Sequence, residues 1–310
     1  MNIVFLGTPR IAVPTMEKLH AAGHNILLAV SQPDRPSGRG QKTVPTPVKQ
    51  KAVELGIPVF QPENVNAPEA VQRIAALRPD IIVVVAFGQI LKQTLLDVPP
   101  KGCVNLHASL LPLLRGAAPI NRAIMEGHMI TGVATMKMDR RMDAGGIYLN
   151  SEIPIGTRMT AGELHDAVMT TGAALMGETL RRIDAEDFEP IPQDESGATF
   201  APKITPEERP VDWGRPAEQI DRQIRGLSPS PAAFTFFGGK RILLLRSNLG
   251  DANNSLPPGT VGSVPEGLAV GTGNGTVWLL EVRPEGKKAM QATDWSRGVR
   301  LSATSRFENR

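Results

Sequence analysis

The sequence predicts an α/β protein: a doubly wound, mostly parallel sheet followed by a small C-terminal β-barrel. Three observations carry this expectation. Over residues 1–110, short Val/Ile-rich runs alternate with segments of helical spacing, as in a parallel sheet covered on both faces. After residue 210 the pattern turns to short strands at regular spacing, separated by glycine-rich turns, which suits a barrel. Between the two, residues 184–210 hold five prolines (190, 192, 202, 206 and 210) and show neither period.

The elements follow in order. Ile3–Leu6, Ile26–Val30, Ile81–Val85 and Cys103–Leu106 read as buried strands. Ile11–Ala22, Pro47–Leu55 and Pro68–Leu77 have helical spacing, and Gly23 and Gly56 stand where a helix end favours a left-handed residue. Gly132–Met138 and Ile147–Ile153 are further strands. Thr160 to Glu163 spells a capping box, S/T-x-x-E, which opens a long helix to about Arg182. Residues 1–185 are thus expected to form the first domain. Residues 186–210 are expected to be an extended linker, because proline fixes φ and lacks an amide donor. In the remaining 211–310, Pro216–Arg225 predicts one short helix closed by Gly226. Strands are expected at Ala233–Phe237, Arg241–Leu245, Gly259–Val264, Gly267–Val270 and Thr276–Val282, with Gly271–Gly275 as a hairpin turn.

Composition narrows the class. At 310 residues, against ~100–200 per domain, two domains are the default. Hydrophobic residues at 41% and charged residues at 21% exclude wholesale disorder and collagen-like repeats. The longest apolar run, Ile81–Phe87, is far short of the ~18–20 residues of a membrane span. No basic segment precedes Ile3–Leu6, so an export signal is not expected, nor is membrane association. The single cysteine, Cys103, can neither pair within the chain nor anchor a zinc cluster, so a reducing, cytoplasmic location is expected. Residues 201–310 carry 15 Lys/Arg against 11 Asp/Glu, an excess of +4, whereas residues 1–200 carry 19 against 20. That excess points weakly to a polyanion and is equally compatible with ordinary solvated surface.

The turn after Ile3–Leu6 is Gly7-Thr8-Pro9. It is not G-x-G-x-x-G, and no G-x-x-x-x-G-K-[ST] occurs, so dinucleotide and P-loop binding lack their usual cradle. The informative stretch runs from Gly102 to Ile120. Asn105 and His107 lie two apart on a strand, so their side chains share a face. An amide donor beside an imidazole can polarise a carbonyl and hold a developing oxyanion. A histidine at a strand end can equally be structural. Asp143, in a turn after another strand, could be turn chemistry alone, and spacing does not join it to the pair.

Several segments together resemble one family along essentially the full chain. They are Phe5-Leu-Gly-Thr-Pro9, the loop from Ser31 through Gln32 to Gly40, Val83–Gly88, Asn105–Ile120, Met138–Gly145 and Gly286–Met290. The chain resembles the methionyl-tRNA formyltransferases. Asn105, His107 and Asp143 match the set shared by the wider group of formyltetrahydrofolate-using enzymes, while the Gln32–Gly40 loop and the late barrel point to the tRNA enzymes. The resemblance implies a formyltransferase Rossmann-like first domain and an oligonucleotide/oligosaccharide-binding (OB-like) barrel. It implies formyl transfer from 10-formyltetrahydrofolate to the α-amino group of methionine on initiator tRNA, for translation initiation.

Carried over by position, Asn105, His107 and Asp143 are the implied catalytic trio. Ser109, Leu110, Leu111 and Pro112 are implied to contact the folate co-substrate, and Phe87, Gly88, Gln89, Ile90 and Leu91 to wall its pterin pocket. Arg39, between Gly38 and Gly40, is implied to enter the tRNA acceptor end. Lys287 and Lys288 are expected to contact the tRNA backbone. No metal is called for, and a monomer is expected. Five positions depart from the family pattern: Leu113-Leu114 replace a common arginine and aromatic, Gly146 an acid or proline, Phe87 a tyrosine, and Arg10 an acid. A formyltransferase acting on a small amine, such as a sugar nucleotide or glycinamide ribonucleotide, would keep the trio with less use for the barrel. A non-catalytic RNA-binding protein on the same scaffold would not need it.

Overall fold

Runs of Val and Ile with no polar alternation can be covered only on both faces, and they form the centre of a seven-stranded sheet. The computed structural model describes residues 1–37, 42–186, 188–251, 256–302 and 304–308. Arg39, the expected tRNA contact, therefore lies outside the described residues. The elements of the first two-thirds of the chain are β1 (Asn2–Gly7), α1 (Val13–Ala21), β2 (Asn25–Val30), β3 (Arg35–Ser37), β4 (Lys42–Val44), α2 (Pro47–Glu54), β5 (Val59–Phe60), α3 (Pro68–Ala76), β6 (Ile81–Val85), α4 (Gln93–Leu96), β7 (Cys103–His107), α5 (Pro119–Met125), β8 (Ile130–Lys137), β9 (Ile147–Pro154) and α6 (Ala161–Asp184).

Contacts divide the chain into two compact units. The first comprises residues 1–117, 130–153 and 165–201, and the second comprises 118–129, 154–164 and 202–310. Residues around α5 and ahead of α6 thus group with the later part of the chain, a division that local sequence pattern does not reveal.

In the first unit the sheet order is β5-β2-β1-β6-β7-β8-β9. The β5-to-β7 portion is parallel, and β8 runs antiparallel to β7. The order reverses between β1 and β6, where loops leave the strands in opposite directions and open a crevice for ligands. Gly7 permits the tight exit from β1: a Cβ there would lie 2.8 Å from that of Ala12. Thr8 then ties the neighbouring loops together, donating its Oγ1 to the Phe87 carbonyl (2.8 Å) and accepting the Gln32 amide (3.2 Å).

The helix that the pattern places at Ile11 begins at Val13, after a single 3₁₀ turn. Pro14 lacks an amide donor and is tolerated only in a first helical turn. Thr46 caps α2 by accepting the Lys49 amide, and Gly23 and Gly56 follow their helices at φ +82° and +71°.

The proline-rich segment, expected to be an extended linker, carries 3₁₀ turns at Glu195–Gly197 and Pro206–Glu208, and residues 191–201 are built into the first unit. Ile191 bridges Ile147, and Phe200 bridges Arg115. Extended backbone satisfies its polar groups by pairing with an edge or with water.

The second unit holds α7 (Ala217–Leu227), β10 (Ala233–Phe237), β11 (Lys240–Leu249), β12 (Val261–Val264), β13 (Gly267–Gly271), β14 (Thr276–Pro284), β15 (Met290–Gln291) and α8 (Ala292–Val299). Its antiparallel sheet runs β10-β11-β14-β13-β12, with β15 on β14. The last residues close it: Glu308 bridges Phe236 of β10, and Arg306 bridges Thr260 beside β12. Closure removes the free edges that an open sheet would present. Gly238 and Gly239, at φ +55° and +73°, make the two-residue turn between β10 and β11. The Gly271–Gly275 segment is the expected hairpin turn, pairing Gly271 with Thr276.

Gly226 does not close α7, which continues to Leu227. It is there for close packing instead: a Cβ would lie 2.5 Å from Met125 Cγ, and Asn121 Nδ2 donates to the Gly226 carbonyl at 2.7 Å. The capping box holds as read. Thr160 N donates to Glu163 Oε2 (2.8 Å), and Glu163 N donates to Thr160 Oγ1 (3.3 Å).

Candidate active site

The site grows from the carboxyl end of β7. Parallel pairing sets Asn105 beside Val84 of β6, and antiparallel pairing sets His107 opposite Ala134 of β8. Both side chains lie on one face, as the two-residue spacing requires. Asn105 is half-buried, whereas His107 is only 6% exposed. Its Nε2 lies 3.0 Å from the Leu114 carbonyl. A carbonyl only accepts, so Nε2 carries the hydrogen and Nδ1 is left facing Asp143. Nδ1 to Asp143 Oδ2 is 3.8 Å, longer than a direct hydrogen bond and within ion-pair distance. The structure therefore brings together residues that spacing could not join.

The loop after β7 is the hub. Ser109, fully buried, donates Oγ to the Leu113 carbonyl at 2.5 Å. Leu114 sits at φ +57°, which turns its carbonyl onto His107. The Gly116 amide donates to Asp143 Oδ2 at 2.8 Å. Asp143 is also left-handed, at φ +52°, a conformation that Asp tolerates better than most residues. Behind it the chain folds back so tightly that a Cβ on Gly145 would lie 1.7 Å from the Lys137 carbonyl.

Sequence reasoning missed the second layer, which comes from the proline-rich segment. Thr199 Oγ1 accepts the Leu114 amide (2.9 Å), and the Thr199 carbonyl accepts the Arg115 amide (2.9 Å). Arg115, only 4% exposed, donates Nε and Nη2 to Gln193 Oε1 (3.1 and 2.7 Å) and Nη1 to Glu195 (2.8 Å). Gln193 Nε2 in turn donates to the carbonyls of Asp143 (2.9 Å) and Gly145 (2.7 Å). No periodicity or spacing marks such residues.

The Arg115 hydrogen bond holds the Glu195 carboxyl below its ordinary value of 4.5. A lowered folded value means stabilisation that is complete above about pH 4.5 and is lost as pH falls through the folded value. Glu195→Gln is expected to flatten the pH dependence of the melting temperature in that acid window. An unchanged acid limb would show that the pair contributes nothing. Cys103 is no rival nucleophile, since burial pushes its thiol up to about 12 and thiolate is the reactive form.

The remaining expected residues are placed as follows. Phe87 and Leu91 pack in the core of the first unit. Gln89 spends its side chain on backbone, accepting the Val65 amide at 2.8 Å. Gly88 (φ +91°) is exposed, and Ile90 is 82% exposed, so these two present surface at this loop. Leu111 is buried and Leu110 and Pro112 half-buried. Lys287 and Lys288 are exposed in the turn after β14, with Gly286 at φ +73°. Arg246 and Arg297, also in the basic excess, pair with Glu163 (2.6 Å) and Asp294 (3.1 Å). Among the described residues no group of three or more His, Cys, Asp and Glu side chains could hold a metal ion. Nor is any described helix long and apolar enough to cross a membrane.

Two family models cover most of the chain: "Formyl transferase" matches residues 1–180, and "Formyl transferase, C-terminal domain" matches residues 203–300. Methionyl-tRNA formyltransferase of Moorella thermoacetica is 46% identical over 96% of both chains, and that of Roseobacter denitrificans is 45% identical over 100% of both. The chain belongs to the methionyl-tRNA formyltransferase family.

Solved structures agree on the fold. A Helicobacter canadensis N-formyltransferase, in complex with folinic acid and dTDP-3-aminofucose, has a TM-score of 0.67 at 17% identity, covering 89% of this chain and 98% of its own. HypX from Aquifex aeolicus has a TM-score of 0.67 at 20% identity over 96% of this chain and 48% of HypX, so the likeness spans about half of that protein. Gln193, Glu195 and Thr199 fall between the two formyltransferase family matches.

Proposed function

We infer that this chain transfers the formyl group of 10-formyltetrahydrofolate to the α-amino group of methionine on initiator tRNA. The observation that carries the reading is the near-full-length likeness to methionyl-tRNA formyltransferases. The approach of His107 to Asp143 from distant parts of the chain supports it.

The folate site is assigned to the crevice at the carboxyl ends of β6 and β7. There the loops 86–91 and 108–112 leave adjacent strands, with Gly88 and Ile90 exposed. When bound, the co-substrate supplies the formyl carbonyl. The new bond joins the methionine nitrogen to the formyl carbon, the bond to the folate nitrogen breaks, and the proton shed by the amine ends on that leaving nitrogen. Asn105 offers its amide to the formyl oxygen, where negative charge develops. His107 adds to that stabilisation and handles the travelling proton. Asp143 orients His107. Catalytic hydrogen bonds are often long before substrate binds, and a small closure of the 3.8 Å separation would complete this one.

Residues 1–185 are assigned the chemistry and 211–310 the tRNA platform, with Arg39, Lys287 and Lys288 on the RNA. The protein acts as a cytoplasmic monomer, free of membrane. Backbone contacts release counterions, so affinity falls with salt at a slope of roughly −0.9 per phosphate neutralised on duplex. Replacing Lys287 and Lys288 together by Ala is expected to weaken tRNA binding and flatten that slope by about one unit per lost contact, with folate binding unchanged. A slope equal to the parent's would remove both lysines from the interface. Incubation with 10-formyltetrahydrofolate and methionyl-charged initiator tRNA tests the function itself, and formylmethionyl-tRNA is the expected product.

A further inference from the structure

We propose that Gln193 is a positioning residue for Asp143, held ready by the buried Arg115; the inference rests on the assignment of Asp143 to the reaction. All four hydrogen-bonding positions of the Gln193 amide are spent. Its oxygen accepts twice from Arg115, and its nitrogen donates once each to the carbonyls of Asp143 and Gly145. The two ends have different partners, so the amide cannot be reversed: an oxygen facing two carbonyls, and a nitrogen facing a guanidinium, would both be repelled.

Asp143 occupies a left-handed conformation that costs a non-glycine residue free energy and persists only where its surroundings over-determine it. The over-determination is visible on both sides of the residue. Gly116 N fixes the carboxylate, while Gln193 fixes the peptide that carries it. Gly116 directly follows Arg115, so one short segment governs both attachments, and the same loop supplies the Leu114 carbonyl that fixes His107. Arg115 is 4% exposed and its guanidinium is taken up by Gln193 and Glu195, which suits it to positioning. A misplacement of about 1 Å in a reacting group can cost roughly 10²-fold in rate.

The test uses the full-length protein with Gln193→Glu. The carboxylate keeps Arg115 paired but donates nothing to the Asp143 and Gly145 carbonyls. The expected result is a folded protein with a lowered melting temperature, because the new oxygen faces two carbonyls, with KM for folate and for charged tRNA within about twofold and kcat lower by roughly 10–100-fold. In an Asp143→Asn background the same substitution should cost almost nothing further, because both act through one group. Should Gln193→Glu fold poorly, Gln193→Met removes the donors without introducing charge and must show the same kcat loss and the same non-additivity. Parent-like kcat, a rise in KM alone, or full additivity with Asp143→Asn would overturn the proposal. An Asp143→Asn variant that remains fully active would instead overturn the assignment of Asp143, so the two failures are distinct.

Discussion

Replacing His107 by Ala, or Asp143 by Asn, is expected to lower kcat by roughly 10²–10⁴, since general acid–base and oxyanion terms are each of that size. Folding should survive both changes. Asn is as tolerant as Asp of the left-handed conformation at 143 and still accepts the Gly116 amide, so only the charge facing His107 is lost. His107→Ala leaves one carbonyl, that of Leu114, without its donor and opens a small void at the end of β7. Circular dichroism and melting confirm that each variant is folded before its turnover with charged initiator tRNA is measured. Near-parental turnover in a folded variant would remove that residue from the chemistry.

The second large effect is structural. Asp221 and Arg225, 3% and 8% exposed, pair one turn apart on α7 at 2.7 Å. Ser247 donates to the other carboxylate oxygen (2.7 Å), and Arg225 Nη1 donates to the Met159 carbonyl (3.1 Å). Removing one partner strands a buried charge, so Asp221→Ala is expected to destabilise the second unit by about 3–5 kcal/mol. Asp221→Leu combined with Arg225→Met removes both charges and should cost clearly less. All three tryptophans (213, 278 and 295) lie in this unit, so their fluorescence during denaturation reports on it directly. A double variant as unstable as Asp221→Ala would mean that the pair matters for shape and not for charge balance.

Truncation near the proline-rich segment would cut through the same unit. A chain cut near residue 205 would keep α5 and residues 154–164 but lose what they pack on. Arg122 pairs with Glu208, Asn121 donates to the Gly226 carbonyl, and Arg225 holds Met159. Loss of activity in such a fragment would therefore mix misfolding with loss of the RNA platform. The paired lysine substitution is the cleaner probe.

How much was legible in the sequence follows from where each signal resides. Ile81–Val85 was readable because a strand buried on both faces must be apolar throughout, and Thr160 with Glu163 because a capping box is a local arrangement. Gly271–Gly275 was readable for the same local reason. The β3–β4 hairpin, α5 and α8 were not: each is short, and α8 carries Thr, Ser and Gly in place of strong helix formers. Gly226 misled because a glycine near a helix end serves conformation or close packing equally well. Only the neighbour, Met125, decides between them. At the site, Asn105 and His107 shared a face by strand geometry, but Asp143 joined them only through the fold. Gln193 and Thr199 were invisible, because a partner for a distant backbone carbonyl carries no periodicity of its own.

One measurement bears most directly on the central claim. Formyl transfer from labelled 10-formyltetrahydrofolate is followed with methionyl-charged initiator tRNA, an amino-sugar nucleotide and glycinamide ribonucleotide competing in one mixture. The account predicts that the label passes to the charged tRNA almost exclusively, and that Asp143→Asn slows this transfer by roughly 10²–10⁴-fold. Preferential labelling of either small amine, or a label that stays on the folate with active-site residues intact, would contradict it.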